Sequence, residues 1–125
     1  MSTRCMIGYE GQGALIYRHS DGYPDGEHGV LATLIPFRDH FFKLRHDAGE
    51  YFLARLLAWQ PDYDREGVTG YGIDTAFHGD LAYYYHVLCN GDIEVYSCYE
   101  AGIIPALPGA PDYRDILGFQ FVKII

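Results

Sequence analysis

The chain has 125 residues, 49% of them apolar and 21% charged, which suits one packed domain over residues 1–125 and is too apolar for a disordered segment. Its uncharged stretches fall short of the roughly 18 apolar residues of a membrane span, and no apolar run follows the initial Met-Ser-Thr-Arg-Cys, so a cytoplasmic protein with no membrane role is expected. The net charge is −8: residues 1–60 hold six Lys/Arg against seven Asp/Glu, whereas residues 61–125 hold three against ten. Such a C-terminal half repels phosphate backbones, which argues against direct nucleic-acid binding and favours a basic partner.

Arg4–Glu10 and Ala14–His19 read as two short strands joined by Gly11-Gln12-Gly13, which supplies the positive-φ positions of a tight hairpin. Ser20 to Gly26 is strong turn chemistry. From about Glu27 to Gln60 the apolar period becomes helical. Pro36 must kink the first helix or end its first segment. Asp47-Ala48-Gly49-Glu50 has the form of a capping box for a second helix, which Pro61 stops.

Beyond Gly70 the period drops to two. Asn90-Gly91 is the strongest hairpin signal, and Gly79-Asp80 a weaker one. If both are two-residue loops, His86 sits between Ile73 and Val95, and Tyr85 between Asp74 and Tyr96. The inner face then carries Tyr71, Ile73, Phe77, Tyr84, His86, Leu88, Ile93 and Val95 against Leu34, Phe41, Phe52, Leu56 and Trp59. The tail Ala101–Gly118 reads as loop, and Phe119–Ile125 as one last strand. The expected fold is α+β: an antiparallel sheet, formed by an N-terminal hairpin and a C-terminal three-stranded meander, with two helices packed on one face.

Two constellations carry candidate chemistry. Arg18-His19-Ser20-Asp21-Gly22-Tyr23-Pro24 is the densest polar segment. Alternation puts Tyr17 and His19 on one face of the strand and Arg18 on the other. Arg4, on the neighbouring strand, can share a face with Arg18, and two guanidiniums together would fork a phosphate or carboxylate. Arg4, Arg18, His19, Asp21 and Tyr23 are thus the candidate ligand residues for an anionic small molecule. The bland reading makes Asp21 a turn cap paired with an arginine. Catalysis through His19 and Asp21, with Ser20 or Cys5 as nucleophile, needs a geometry that adjacency does not supply, so no catalytic residue is assigned. The remaining histidines lack metal-ligand spacing, no phosphate-cradling loop occurs, and neither metal nor cofactor is expected. His86 reads as a hydrogen-bonded core histidine. The odd cysteines, Cys5, Cys89 and Cys98, read as reduced thiols.

The second constellation is the outer sheet face, with Tyr83, Tyr85 and Tyr96 beside Asp74, Asp92 and Glu94. Tyrosine offers broad contact area with a polar tip, which suits protein recognition. Asp74, Tyr83, Tyr85, Glu94 and Tyr96 are therefore the candidate partner residues, with a basic protein or a second copy of the chain as occupant.

Ser2-Thr3-Arg4, together with Tyr17-Arg18-His19-Ser20-Asp21-Gly22-Tyr23-Pro24, resembles small bacterial and phage proteins that pair these two segments. The resemblance covers mainly the first 35 residues and implies no catalytic residues. It implies a short protein of the sort mobile elements encode, and the expected function is non-catalytic binding, as an inhibitor of a basic host protein. A small-molecule-binding or hydrolytic protein with the anion site around Arg4, Arg18, His19 and Asp21 is the alternative.

Overall fold

The computed structural model describes residues 3–44, 49–59, 70–98, 104–105 and 119–125, and the fold is α+β. Among these residues the order is β1 (Cys5–Tyr9), β2 (Leu15–Arg18), α1 (Val30–Leu44), α2 (Gly49–Trp59), β3 (Tyr71–Asp74), β4 (Ala76–Phe77), β5 (Tyr83–Val87), β6 (Ile93–Cys98), β7 (Ile104–Pro105) and β8 (Phe119–Ile124). A six-stranded sheet runs β3-β2-β1-β5-β6-β8, and β4 pairs with β7 in a separate ribbon.

The N-terminal hairpin forms across Gly11, whose φ of 83° is left-handed, and it brings Ile7 opposite Ile16. Helix α1 continues past Pro36. Both Pro36 and Ala32, the residue whose carbonyl loses its helical donor, lie on the exposed side, where water can satisfy that carbonyl. Helix α2 opens at Gly49 with Glu50 in its first turn. Asp47 of the expected capping box, Pro61, and nearly all of the Ala101–Gly118 tail lie outside the described residues.

The three-stranded meander does not form. β3 pairs with β2 at the sheet edge, Ile73 opposite Ile16, and not with β5. Gly79-Asp80 therefore closes no hairpin, and β5 instead lies beside β1, parallel to it, with Tyr85 opposite Ile7. The hairpin at Asn90-Gly91 is present but has three loop residues. Val87 pairs with Ile93, Leu88 N–H donates to the Asp92 carbonyl at 2.8 Å, and Gly91 takes φ 97°. A three-residue loop ending in a left-handed glycine shifts the register by one relative to a two-residue turn. Tyr85 thus faces Val95 rather than Tyr96, and His86 faces Glu94 rather than Val95.

That slip re-sorts the core. Ile7, Ile16, Tyr85, Val87, Ile93 and Val95 join the buried residues of both helices, among them Leu34, Phe41, Phe52 and Leu56, in one cluster. A second cluster, on strand positions of the other parity, gathers Met6, Leu15, Phe77, Leu81, Tyr84, Tyr96, Cys98 and Phe119. Phe77 and Tyr84 are buried as expected, but away from the helices. Ile73 is 63% exposed and Trp59 44%, so neither is core.

Candidate functional site

The expected guanidinium fork does not exist. Register fixes the reason: Arg18 pairs with Cys5, so it points to the helix side, whereas Arg4 has the opposite parity. Arg18 is almost wholly buried and works as a strut. Its Nε donates to the Ser20 carbonyl at 2.9 Å and its guanidinium to the His28 carbonyl at 3.1 Å, with the Tyr71 ring 5.8 Å away. Both ends of the turn segment are thereby tied to one side chain.

The rest of that segment serves the helix that follows. Asp21 takes a left-handed φ of 55°, Gly22 N–H donates to the Thr3 carbonyl at 2.8 Å, and the buried Tyr85 hydroxyl donates to the Gly22 carbonyl at 2.6 Å. A Cβ on Gly22 would come within 2.8 Å of the Thr3 carbonyl oxygen, so glycine is required there. The carbonyls of Tyr23 and Pro24 accept the N–H groups of Val30 and Leu31, which are two of the orphan donors at the start of α1. Arg18, Asp21 and Tyr23 are therefore parts of a backbone cap, and Arg18 bonds carbonyls rather than Asp21.

The expected partner face is dismantled by the same register shift. Tyr85 is buried on the helix side. Tyr96 is buried on the other, donating to Glu94 Oε1 at 2.9 Å, and Glu94 is itself buried. Tyr83 is half-buried, its ring 6.5 Å from Tyr85. Asp74 sits on β3, four strands from Glu94 on β6, roughly 19 Å at ordinary strand spacing. His86 is a core histidine as expected, its Nδ1 2.8 Å from the Tyr84 hydroxyl.

Three of the expected residues do meet, on the side of the sheet away from the helices. Arg4 and His19 reach Tyr17, and Asp74 joins them through His78, with Asp80 close by; sequence reasoning did not select His78 or Asp80. The His78 ring lies on the Tyr17 ring at 4.3 Å and 23°, and its Nε2 is 3.0 Å from Asp74 Oδ2. Asp74 Oδ1 also accepts the Thr75 N–H at 2.7 Å, and these two bonds hold its carboxyl below the usual range. Arg4 Nε pairs with Asp80 at 3.2 Å, and His19 Nδ1 is 3.4 Å from the Tyr17 hydroxyl. Burial, then the Asp80 carboxylate, push the Tyr17 phenol up. The spacing Asp74-x-x-x-His78 was the available signal, obscured by reading residues 71–77 as one continuous strand.

This cluster contains an imidazole oriented by a carboxylate, but Cys5, the thiol considered for catalysis, is buried with its pKa pushed up to about 12 by desolvation, so it stays protonated. His19 contacts Tyr17 rather than Asp21. What the arrangement does offer is a paired, mixed-charge surface beside β3, the edge strand of the sheet among the described residues. Ile73 is exposed on the helix-side face of that strand, and Asp74 lies on its other face. No helix among the described residues is long and apolar enough to cross a membrane. Comparison of the chain with protein-family models, curated proteins and solved structures finds no match.

Proposed function

We propose that this chain is a non-catalytic binding protein that takes a basic protein partner on the β3 edge of its sheet. The observation that carries the reading is Ile73, 63% exposed on the edge strand on its helix-side face, with the Asp74 carboxylate on the opposite face of the same strand and Asp80 close to Tyr17 there. An edge strand presents unpaired N–H and C=O groups to an added strand, and an alternate apolar side chain gives that strand its pocket contact. The surplus of negative charge in residues 61–125 would steer a cationic partner to this edge. Acidity of this kind suits an inhibitor that occupies the basic surface of a nucleic-acid-binding protein.

The test is an array of random short peptides probed with the intact protein. Bound peptides should alternate apolar residues with Lys or Arg, and Ile73→Lys, an exposed change that leaves the core alone, should abolish their capture. Binders without cationic residues, or capture that survives Ile73→Lys, would refute the reading. Sedimentation separates the other occupant: a dimer that dissociates on Ile73→Lys makes the partner a second copy of the chain.

A further inference from the structure

A cleft of about 220 Å³ opens between α1 and α2. Its walls are aromatic and aliphatic: Phe37, Phe41, Leu44 and Trp59. Trp59 is the chain's single tryptophan, yet it is 44% exposed, and Leu44 beside the same cleft is 72% exposed. The indole is nonetheless held in place. Its ring meets Phe37 edge-on at 5.5 Å and stacks on His40 at 5.4 Å and 29°. Large apolar side chains gathered around a concavity, and left open to water, are the usual lining of a small-molecule site.

The polar groups of the cleft set the ligand's charge. Among the described residues, His40 and Arg55 are the titratable groups that line it and no carboxylate does, although acidic residues outnumber basic ones by 17 to 9 in the whole chain. Arg55 stands one turn before Trp59 on α2, and no hydrogen bond or ion pair engages its guanidinium among the described residues. Size sets the rest. A cavity of about 150 Å³ accepts a benzene ring, and 220 Å³ adds space for a short side chain ending in a charged group. We infer that this cleft binds a small aromatic carboxylate, with the ring against Trp59, Phe37 and Phe41 and the carboxylate on Arg55.

Trp59 reports the binding directly, since excitation to the red of tyrosine absorption isolates its emission. The full chain is titrated with 3-phenylpropanoate, with the neutral 3-phenylpropan-1-ol and with the cationic 3-phenylpropan-1-amine. Saturable change in Trp59 emission is expected with the acid, with a Kd of about 1 mM or tighter. The alcohol should bind about tenfold or more weakly, the loss of one charge-assisted hydrogen bond, and the amine more weakly still. Arg55→Gln, an exposed substitution, should erase the preference for acid over alcohol and leave the alcohol's affinity unchanged. No saturable change by about 10 mM acid, equal affinity for acid and alcohol in the unaltered protein, or an acid preference that survives Arg55→Gln would each overturn the assignment.

Discussion

On the helix side of the sheet, Ile7, Ile16, Val87, Ile93 and Val95 meet a cage of phenylalanines, and the one buried tyrosine of β5 there, Tyr85, sends its hydroxyl out to a loop carbonyl. On the opposite side two of the four buried rings of the cluster are tyrosines, and their hydroxyls bond side chains of the sheet itself: Tyr84 with His86, and Tyr96 with Glu94. Both sides exclude water. The first does so with hydrocarbon that only needs volume, the second with polar tips that each need a partner. Core deletion should therefore damage the helix side most, while loss of a single hydroxyl should be felt most on the other.

The largest effect belongs to the phenylalanine cage. Phe52 is fully buried, with ring centres of Phe37, Phe41 and Tyr9 at 5.0, 5.1 and 5.2 Å. Phe52→Ala should cost about 4–5 kcal/mol in urea denaturation. Phe77, also fully buried, meets Tyr84 at 4.9 Å and Phe119 at 5.1 Å, and Phe77→Ala should cost about 3–4 kcal/mol. A Phe77→Ala loss exceeding that of Phe52→Ala would reverse the ranking of the two sides.

Hydroxyl deletions sharpen the contrast. Tyr96→Phe takes a donor from the buried Glu94 carboxylate and should cost about 1.5–3 kcal/mol, as for hydrogen bonds to charged groups. Tyr85→Phe takes a donor from the neutral Gly22 carbonyl and should cost about 1–2 kcal/mol. The same denaturation measurement checks both, and a larger loss for Tyr85→Phe than for Tyr96→Phe would reverse the contrast between the two sides.

How much of this was legible before the structure depends on which signals are local. The N-terminal hairpin, both helices and the last strand were readable, because turn glycines, apolar period and helix punctuation act within a few residues. The pairing of β5 with β1 was not, since a parallel pair separated by some eighty residues has no turn to announce it. A clue was present: β1 and β5 carry no charged residue other than a histidine, as strands buried on both sides do. The faces failed for a finer reason. Asn90-Gly91 fits a two-residue turn and the end of a three-residue loop alike, and one residue decides which tyrosines meet the helices. The candidate site inherited that error at Tyr85 and Tyr96. It lost Arg18 to a second ambiguity, because buried carbonyls attract a guanidinium as readily as an anion does.

The cysteines divide along the same lines. Cys5 lies in the helix-side cluster and Cys98 in the other; both thiols are pushed up to about 12, chiefly by burial, whereas Cys89 is exposed on the β5–β6 loop. Iodoacetamide at neutral pH should therefore label Cys89 alone in the folded protein and all three in denaturant, read by mass spectrometry. The raised pKa values also fix a sign: the neutral thiols favour folding below about pH 9, their ordinary value, and that contribution fades as pH climbs towards 12. Native labelling of Cys98 would show its side of the sheet to be open.

The smallest effect lies where the two hairpins meet at one end of the sheet. Glu10, just past β1, accepts the Cys89 backbone N–H at 2.8 Å, and this bond, more than the nearby His86, lowers its carboxyl pKa against a weaker opposing effect of burial. A lowered folded pKa means that the ionised form favours folding. The contribution is therefore complete above the ordinary value of 4.5 and drains away as pH falls through the folded one. Because Glu10 is exposed, solvent screening keeps it well under about 1 kcal/mol. Glu10→Gln retains an oxygen that can accept from Cys89 but cannot titrate. Urea midpoints measured at steps from neutral pH down past 4.5 should fall more steeply for the natural protein than for the variant, the two converging at the acid end. Curves that fall in parallel would place the acid sensitivity elsewhere, with the Asp74–His78 pair on the β3 side as the next carboxylate to neutralise.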